Sequence, residues 1–111
     1  MLTIKEYVDR AGRNHYAEWF DGLNAQAAAK VSVALSRMEQ GNFSNVEGVG
    51  SGVYEYKLDF GPGYRIYFGK EGDKILILLG GGTKKRQHKA ISKARELWQE
   101  YKNRKKQERS K

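Results

Sequence analysis

The sequence predicts an α+β domain in which two N-terminal helices and one C-terminal helix pack on a small, mostly antiparallel sheet. Three patterns indicate this fold. Residues 25–40 place apolar side chains at steps of three and four, the period of a helix. Residues 53–60 alternate apolar and polar side chains, the period of a strand. From about residue 87 the helical period returns.

The first half of the chain predicts one strand and two helices. A short strand is expected at residues 2–7, and a first helix at 13–20 that ends at an Asp-Gly turn signal. Asn24 is a suitable N-cap for the second helix, and Gly41 supplies its stop. The glycine-rich residues 42–52 then predict a connecting loop.

The second half begins with a meander of strands. The strands at 53–60 and 64–68 each have an apolar face, which we expect to pack on the helices. The opposite face carries Lys57, Arg65 and Tyr67, and we expect cations from the two strands and the loop after the third strand to converge there on a concave polar surface.

A third strand and a third helix complete the domain. The run ILILL is apolar throughout, as expected for a strand covered on both faces, and we expect the strand to end at Leu79. We expect the third helix, from about residue 87, to have a buried side that consists of Ile91, Ala94, Leu97, Trp98 and Tyr101. We therefore predict one domain over residues 1–101 and a solvated basic tail over 102–111.

Composition excludes several classes of protein. The 111 residues suit a single core, and there are no cysteines, so disulfides and thiolate zinc sites are excluded. The two histidines, His15 and His88, are far apart and lack a companion carboxylate motif, so neither a metal nor another cofactor is expected. The longest apolar run is too short to span a bilayer and no signal-peptide pattern opens the chain, so we expect a cytoplasmic protein with no membrane partner.

The positive charge lies at the C-terminal end. Residues 1–83 contain nine Lys/Arg and ten Asp/Glu, whereas residues 84–111 contain twelve Lys/Arg and three Glu. Clustered cations favour a polyanion, because each phosphate contact releases counterions. The cluster begins in GGGTKKRQHK (80–89), which is not a nucleotide-binding loop: its threonine precedes the lysine and no second glycine is spaced by four residues.

These cations suit RNA cleavage in which the 2′-hydroxyl attacks the adjacent phosphate. Such a reaction needs a base, positive charge on the phosphorane and assistance to the leaving 5′-oxygen. Arginine offers a fork for two phosphate oxygens, and aromatic rings stack on a splayed base. Each residue also has an ordinary interpretation: Lys57 as a solvated lysine, Arg65 as the partner of Glu55 or Asp59, Tyr67 as packing, and His88 as a helix-start residue.

The predicted site residues form three groups. The catalytic candidates are Lys57, Arg65, Lys84 and Lys85. The candidates for proton transfer or stacking are Tyr67, His88 and Tyr64. The candidates for RNA binding are Thr83, Arg86, Gln87 and Lys89.

The run GPGYRIYFGKEGDKILILLGGGTKKRQHKAISKARELW resembles the C-terminal half of RelE/HigB-type toxins of bacterial toxin–antitoxin modules, especially the subgroup called addiction module killer proteins. The shared features are a G-x-G-Y-R-[IV]-Y-[FY] strand, an apolar strand ending in L-L-x-G-G, and a lysine and glutamine before an amphipathic helix ending in L-W. The resemblance extends weakly over the two N-terminal helices.

This resemblance implies a microbial-ribonuclease-like RelE/ParE toxin fold and metal-independent cleavage of mRNA at the ribosome, which inhibits translation. It also implies a cognate antitoxin of helix-turn-helix type. By position, Lys57 matches a catalytic strand lysine, Arg65 matches the arginine that stabilises the transition-state phosphate, and Lys84 or Lys85 matches a further cation.

The sequence departs from the RelE pattern at two positions. Glu55 stands where RelE has a second lysine, and Ile91 stands where RelE has a tyrosine in the final helix. His88 and Tyr67 are the substitutes available for proton transfer. These departures keep two alternatives open: a ParE-like toxin that poisons DNA gyrase without cutting RNA, and a degenerate member that only binds antitoxin or RNA.

Overall fold

The computed structural model describes residues 1–109, which form five strands and three helices. The strands are β1 (Thr3–Glu6), β2 (Val46–Gly48), β3 (Val53–Leu58), β4 (Tyr64–Glu71) and β5 (Ile75–Thr83). The helices are α1 (His15–Asp21), α2 (Ala25–Glu39) and α3 (Gln87–Arg109), and a 3-10 turn over Lys84–Arg86 precedes α3. The predicted α+β class is confirmed.

Asparagine side chains begin both N-terminal helices. The Asn24 side chain accepts a hydrogen bond from the Ala27 amide at 2.9 Å, which confirms the predicted N-cap. Asn14 accepts from the Ala17 amide at 2.9 Å in the same way. Because Asn14 is the cap, α1 starts two residues later than the sequence pattern predicted.

The sheet is mixed, with strand order β1-β5-β4-β3-β2. The β2–β3, β3–β4 and β4–β5 pairs are antiparallel, and β1 joins the sheet parallel to β5. The short strand β2 lies inside the predicted loop at 42–52, which corrects that prediction. Its three residues pair with Tyr54–Tyr56 on β3. A strand of three residues is too short for the alternation of apolar and polar side chains to be recognised in the sequence.

Strand β5 is longer than predicted. It continues through Gly80, Gly81 and Gly82 to Thr83, so the expected end at Leu79 is wrong. These residues pair with Tyr64–Tyr67 of β4. Backbone pairing needs no side chain, so glycines that disfavour a strand by propensity are held in one by their neighbour.

Helices cover both faces of the sheet, and α3 covers much of the face that was expected to form a concave polar surface. On the first face α1 and α2 pack against a cluster of buried residues: Tyr16, Val31, Ala34, Met38, Tyr56, Ile66, Phe68, Leu76 and Leu78. On the second face α3 packs against another: Tyr7, Val53, Tyr67, Ile77, Leu79, Ala94, Leu97 and Trp98. The apolar strand β5 contributes to both clusters, as its composition predicted.

The predicted basic tail at 102–111 is largely part of α3. The helix continues to Arg109, the Arg104 guanidinium donates to the Val8 carbonyl at 3.0 Å, and Lys105 Nζ lies 3.4 Å from Glu71 Oε1. Residues 110–111 of that segment lie outside the described residues. Between residues 1 and 109, none of the helices combines the length and the apolar character needed to cross a membrane.

Candidate functional site

Lys57 and Arg65 are direct neighbours across the β3–β4 pair. Both belong to the sheet face covered by α3, since Arg65 alternates with Ile66, which faces the other cluster. Lys57 remains accessible: 39% of its side chain is exposed, and its Nζ lies 2.7 Å from Glu47 Oε1 on β2. The structure therefore brings two of the predicted catalytic residues into one row of the sheet.

Arg65 is almost completely buried. Only 6% of its side chain is exposed, and its Nε lies 3.8 Å from Glu55 Oε1, while Nη1 donates to the Tyr64 carbonyl at 3.1 Å. Neither Arg65 Nε nor Glu55 Oε1 has a hydrogen-bond partner within residues 1–109. The ordinary interpretation of Arg65, a pairing with Glu55 across the sheet, is thus present in the structure.

Glu55 is fully buried and is the centre of a polar network beneath the start of α3. Its Oε2 accepts one hydrogen bond from the Tyr67 hydroxyl at 2.9 Å and one from Gln87 Nε2 at 2.8 Å. Burial, and then the bond to the Glu55 carboxylate, raise the pKa of Tyr67. In this conformation Tyr67 has no exposed ring face to stack on a base, and Gln87 attaches the first turn of α3 to the sheet.

Tyrosines with raised pKa values predict a loss of stability in alkali. The pKa of Tyr67 is raised, and burial raises that of Tyr16 to about 12. Because these folded values exceed the unfolded value of about 10, the folded state retains protons that the unfolded state loses. Their contribution is complete below about pH 10 and falls as the pH rises through the folded pKa values.

A Tyr67→Phe variant isolates part of this effect. Near neutral pH it should be less stable than the parent by about 1 kcal/mol, because it lacks the bond to Glu55. Above about pH 10 the difference should shrink, because only the parent has this titration. Urea unfolding from neutral to alkaline pH measures the free energy of unfolding of the parent and of the variant. A stability difference between them that stays constant or widens above about pH 10 would contradict a raised pKa of Tyr67.

The residues of the 3-10 turn, Lys84, Lys85 and Arg86, have exposed side chains. The Lys84 amide donates to the Gly63 carbonyl at 2.8 Å, which fixes the turn against the start of β4. A Cβ placed on Gly63 would lie 3.3 Å from Lys84 Cβ and 3.5 Å from Arg65 Nη1. Lys84 and Arg65 therefore lie next to the same glycine. The structure thus places Lys84 close to Arg65, which is the direct neighbour of Lys57 across the sheet.

The remaining predicted residues are spread over several surfaces. Thr83 occupies the N-cap of the turn, but its side chain makes no capping hydrogen bond within the described chain. His88 and Lys89 are exposed in the first turn of α3. Tyr64 lies on the sheet face opposite Arg65, where its ring stacks on Phe60 with centroids 6.3 Å apart.

The sequence reasoning missed a groove between α1 and α3. Its volume is about 740 Å³, and its floor is the end of β5 from Leu79 to Thr83. His15 and Trp19 line one wall, and Lys89 and Lys93 belong to the other. The three consecutive glycines are the available sequence signal, although the predicted end of the strand at Leu79 places them outside the sheet.

A comparison with known proteins found one informative relative. The chain is 37% identical over 86 residues to an uncharacterized protein of Haemophilus influenzae, a match that covers 77% of this chain and 87% of the relative. No protein-family model matches the chain.

Proposed function

This chain belongs to the same family as the Haemophilus influenzae protein, and we propose that it is the toxin component of a type II toxin–antitoxin system. In this proposal it is a metal-independent endoribonuclease of the RelE/HigB type, with the microbial-ribonuclease-like fold of those toxins. It acts in the cytoplasm on mRNA at the ribosome, and a helix-turn-helix antitoxin silences it. The observation that carries the proposal is the pairing of Lys57 with Arg65, with Lys84 beside Arg65.

The proposed chemistry follows from three cations at one end of the sheet. The 2′-hydroxyl oxygen attacks the adjacent phosphorus, and its proton passes to water or to the exposed His88. The bond to the 5′-oxygen breaks as that oxygen takes a proton from water or from the protonated base. The exposed Lys57 and Lys84 contact the phosphate, and Arg65 adds positive charge from beneath them. The backbone of Lys84 is fixed at Gly63 and Arg65 is buried, so the position of this positive charge requires little reorganisation during the reaction.

The test is the induction of single variants followed by mapping of mRNA ends. Lys57→Ala and Lys84→Ala should each slow mRNA cleavage by about a hundredfold, because each removes a charge aimed at the transition state. Both side chains are accessible, so neither change should unfold the protein. Lys74→Ala, in the turn between β4 and β5, is the matched control and should cleave like the parent.

Two results would contradict the proposal. One is a set of intact transcripts in cells whose growth the parent protein has arrested. The other is equal cleavage by the Lys57, Lys84 and Lys74 variants.

A binding function without catalysis is the second candidate, and the burial of Arg65 against Glu55 favours it. It includes gyrase poisoning of the ParE kind and a degenerate member that binds only antitoxin or RNA. DNA damage with undamaged mRNA after induction would support gyrase poisoning. An Arg65→Ala variant that folds and is as toxic as the parent would support binding over catalysis.

A further inference from the structure

Among residues 1–109, no strand lies beside one edge of β5 at its C-terminal end. β1 pairs with β5 only from Ile75 to Leu78, and the Tyr7 amide donates to the Leu78 carbonyl at 2.9 Å before the chain leaves the sheet. β5 continues for five more residues, from Leu79 to Thr83. On this side, alternate residues of that segment direct their N–H and C=O groups away from β4 and into the groove.

The glycines make this backbone accessible. Within residues 1–109, a Cβ added to Gly80 would meet no heavy atom within 4 Å other than its chain neighbours, so the sheet face is open at this residue. At Gly81 an added Cβ would overlap the Trp19 ring, which packs directly against the strand. At Gly82 it would lie 3.2 Å from the Ala90 Cβ of α3. The floor of the groove therefore consists of main-chain atoms without side chains, with Trp19 of α1 on one side and Ala90 of α3 on the other.

The groove has a positively charged wall. Arg86, Lys89 and Lys93 follow one another at steps of three and four, so they lie on the same side of the helical turn and α3. Within residues 1–109 no carboxylate oxygen lies within 4.0 Å of the Arg86 or Lys89 nitrogens, whereas Lys93 Nζ lies 3.6 Å from Glu96 in an exposed pair. His15, on the opposite wall, is held by Asp9 at 2.8 Å.

We infer that this groove binds an extended, acidic segment of a partner protein, which adds to the sheet as a strand beside residues 79–83 of β5. The segment's backbone bonds to the open edge, its carboxylates face Arg86 and Lys89, and an apolar side chain packs on Trp19. A peptide strand matches this floor better than the phosphate backbone of RNA does, because the edge offers alternating donors and acceptors whereas phosphate oxygens only accept. The inference concerns partner binding and does not rest on RNA cleavage.

The test uses a synthetic octapeptide of alternating glutamate and valine and the full-length protein. Calorimetry should detect binding, and amide hydrogen exchange should slow at residues 79–83. An otherwise identical peptide with alternate backbone amides N-methylated should bind at least about tenfold more weakly, because it lacks the donors that a strand needs. A lysine–valine peptide of the same length should not bind.

Charge reversal on the wall supplies the matched variants. Arg86→Glu combined with Lys89→Glu should weaken binding of the acidic peptide by about tenfold or more. Lys74→Glu combined with Lys102→Glu makes the same change in net charge away from the groove and should have a much smaller effect. Circular dichroism checks that both double variants fold.

Three results would overturn the inference. They are the absence of peptide binding at millimolar concentration, equal binding of the N-methylated peptide, and equal losses from the two double variants. Protection of residues 79–83 by an oligouridylate, without protection by the acidic peptide, would assign the groove to RNA. None of these results depends on whether the protein cleaves mRNA, so the two proposals fail separately.

Discussion

Replacing Glu55 by glutamine is expected to lower the free energy of unfolding by about 3 kcal/mol, because it leaves the charge of Arg65 buried without its counter-charge. Glu55 is fully buried, and Arg65 is only 5% exposed. Glutamine keeps an oxygen that can accept from Tyr67 and Gln87, so the main loss is electrostatic. Urea unfolding at neutral pH measures the change.

Glu47→Gln is a matched control for this variant. Glu47 is the register partner of Glu55 on β2, and it pairs with Lys57 at 2.7 Å. Because both members of that pair are substantially exposed, its loss should cost less than about 1 kcal/mol. Equal effects of the Glu47 and Glu55 variants would show that burial of the Arg65–Glu55 pair has no energetic consequence.

A double variant separates the pair from the surrounding packing. Glu55→Gln with Arg65→Met should be more stable than Glu55→Gln alone, because no buried charge is then left without its counter-charge while the acceptor for Tyr67 and Gln87 is kept. If instead the two single losses add, the groups do not interact. If the proposed function holds, the double variant should also be inactive in mRNA cleavage despite its recovered stability, because it lacks Arg65.

Gly69→Ala is expected to lower the free energy of unfolding by about 2 kcal/mol or more. A Cβ at Gly69 would overlap the ring of Trp98, which α3 packs directly on β4. A rigid indole cannot yield like the end of a flexible side chain, so α3 must move away from the sheet. Urea unfolding and near-ultraviolet circular dichroism of the tryptophans would detect the loss and the shift.

The control for steric conflict is Gly48→Ala on β2. In the described part of the chain, a Cβ added there would lie within 4 Å of no heavy atom beyond its chain neighbours, so the change should be close to neutral. Combining Gly69→Ala with Trp98→Phe should recover part of the loss, because the smaller ring leaves room for the methyl group. Comparable losses at Gly48 and Gly69 would attribute the effect to strand glycines in general, and not to Trp98.

The local repeat of the sequence determined which side chains share a face. Alternation along β3 and β4 is enough to place Lys57, Arg65 and Tyr67 on one side of the sheet, and Asn24 marks the start of α2. The apolar run in β5 required cover on both sides. These features depend on neighbours a few residues apart, so a single sequence contains the information.

Only the tertiary structure decided what covers that face. Trp98 packs on Gly69, and Gln87 donates to Glu55, so these contacts connect residues about thirty positions apart. They place α3 over a sheet face that the alternation of side chains predicts to be polar. The same is true of β5. Its glycines continue the strand because β4 pairs with them, and the opposite edge of its last residues has no partner strand in residues 1–109 because β1 ends at Glu6. Such contacts depend on which distant segments meet, and the periodicity of one segment does not specify its partner.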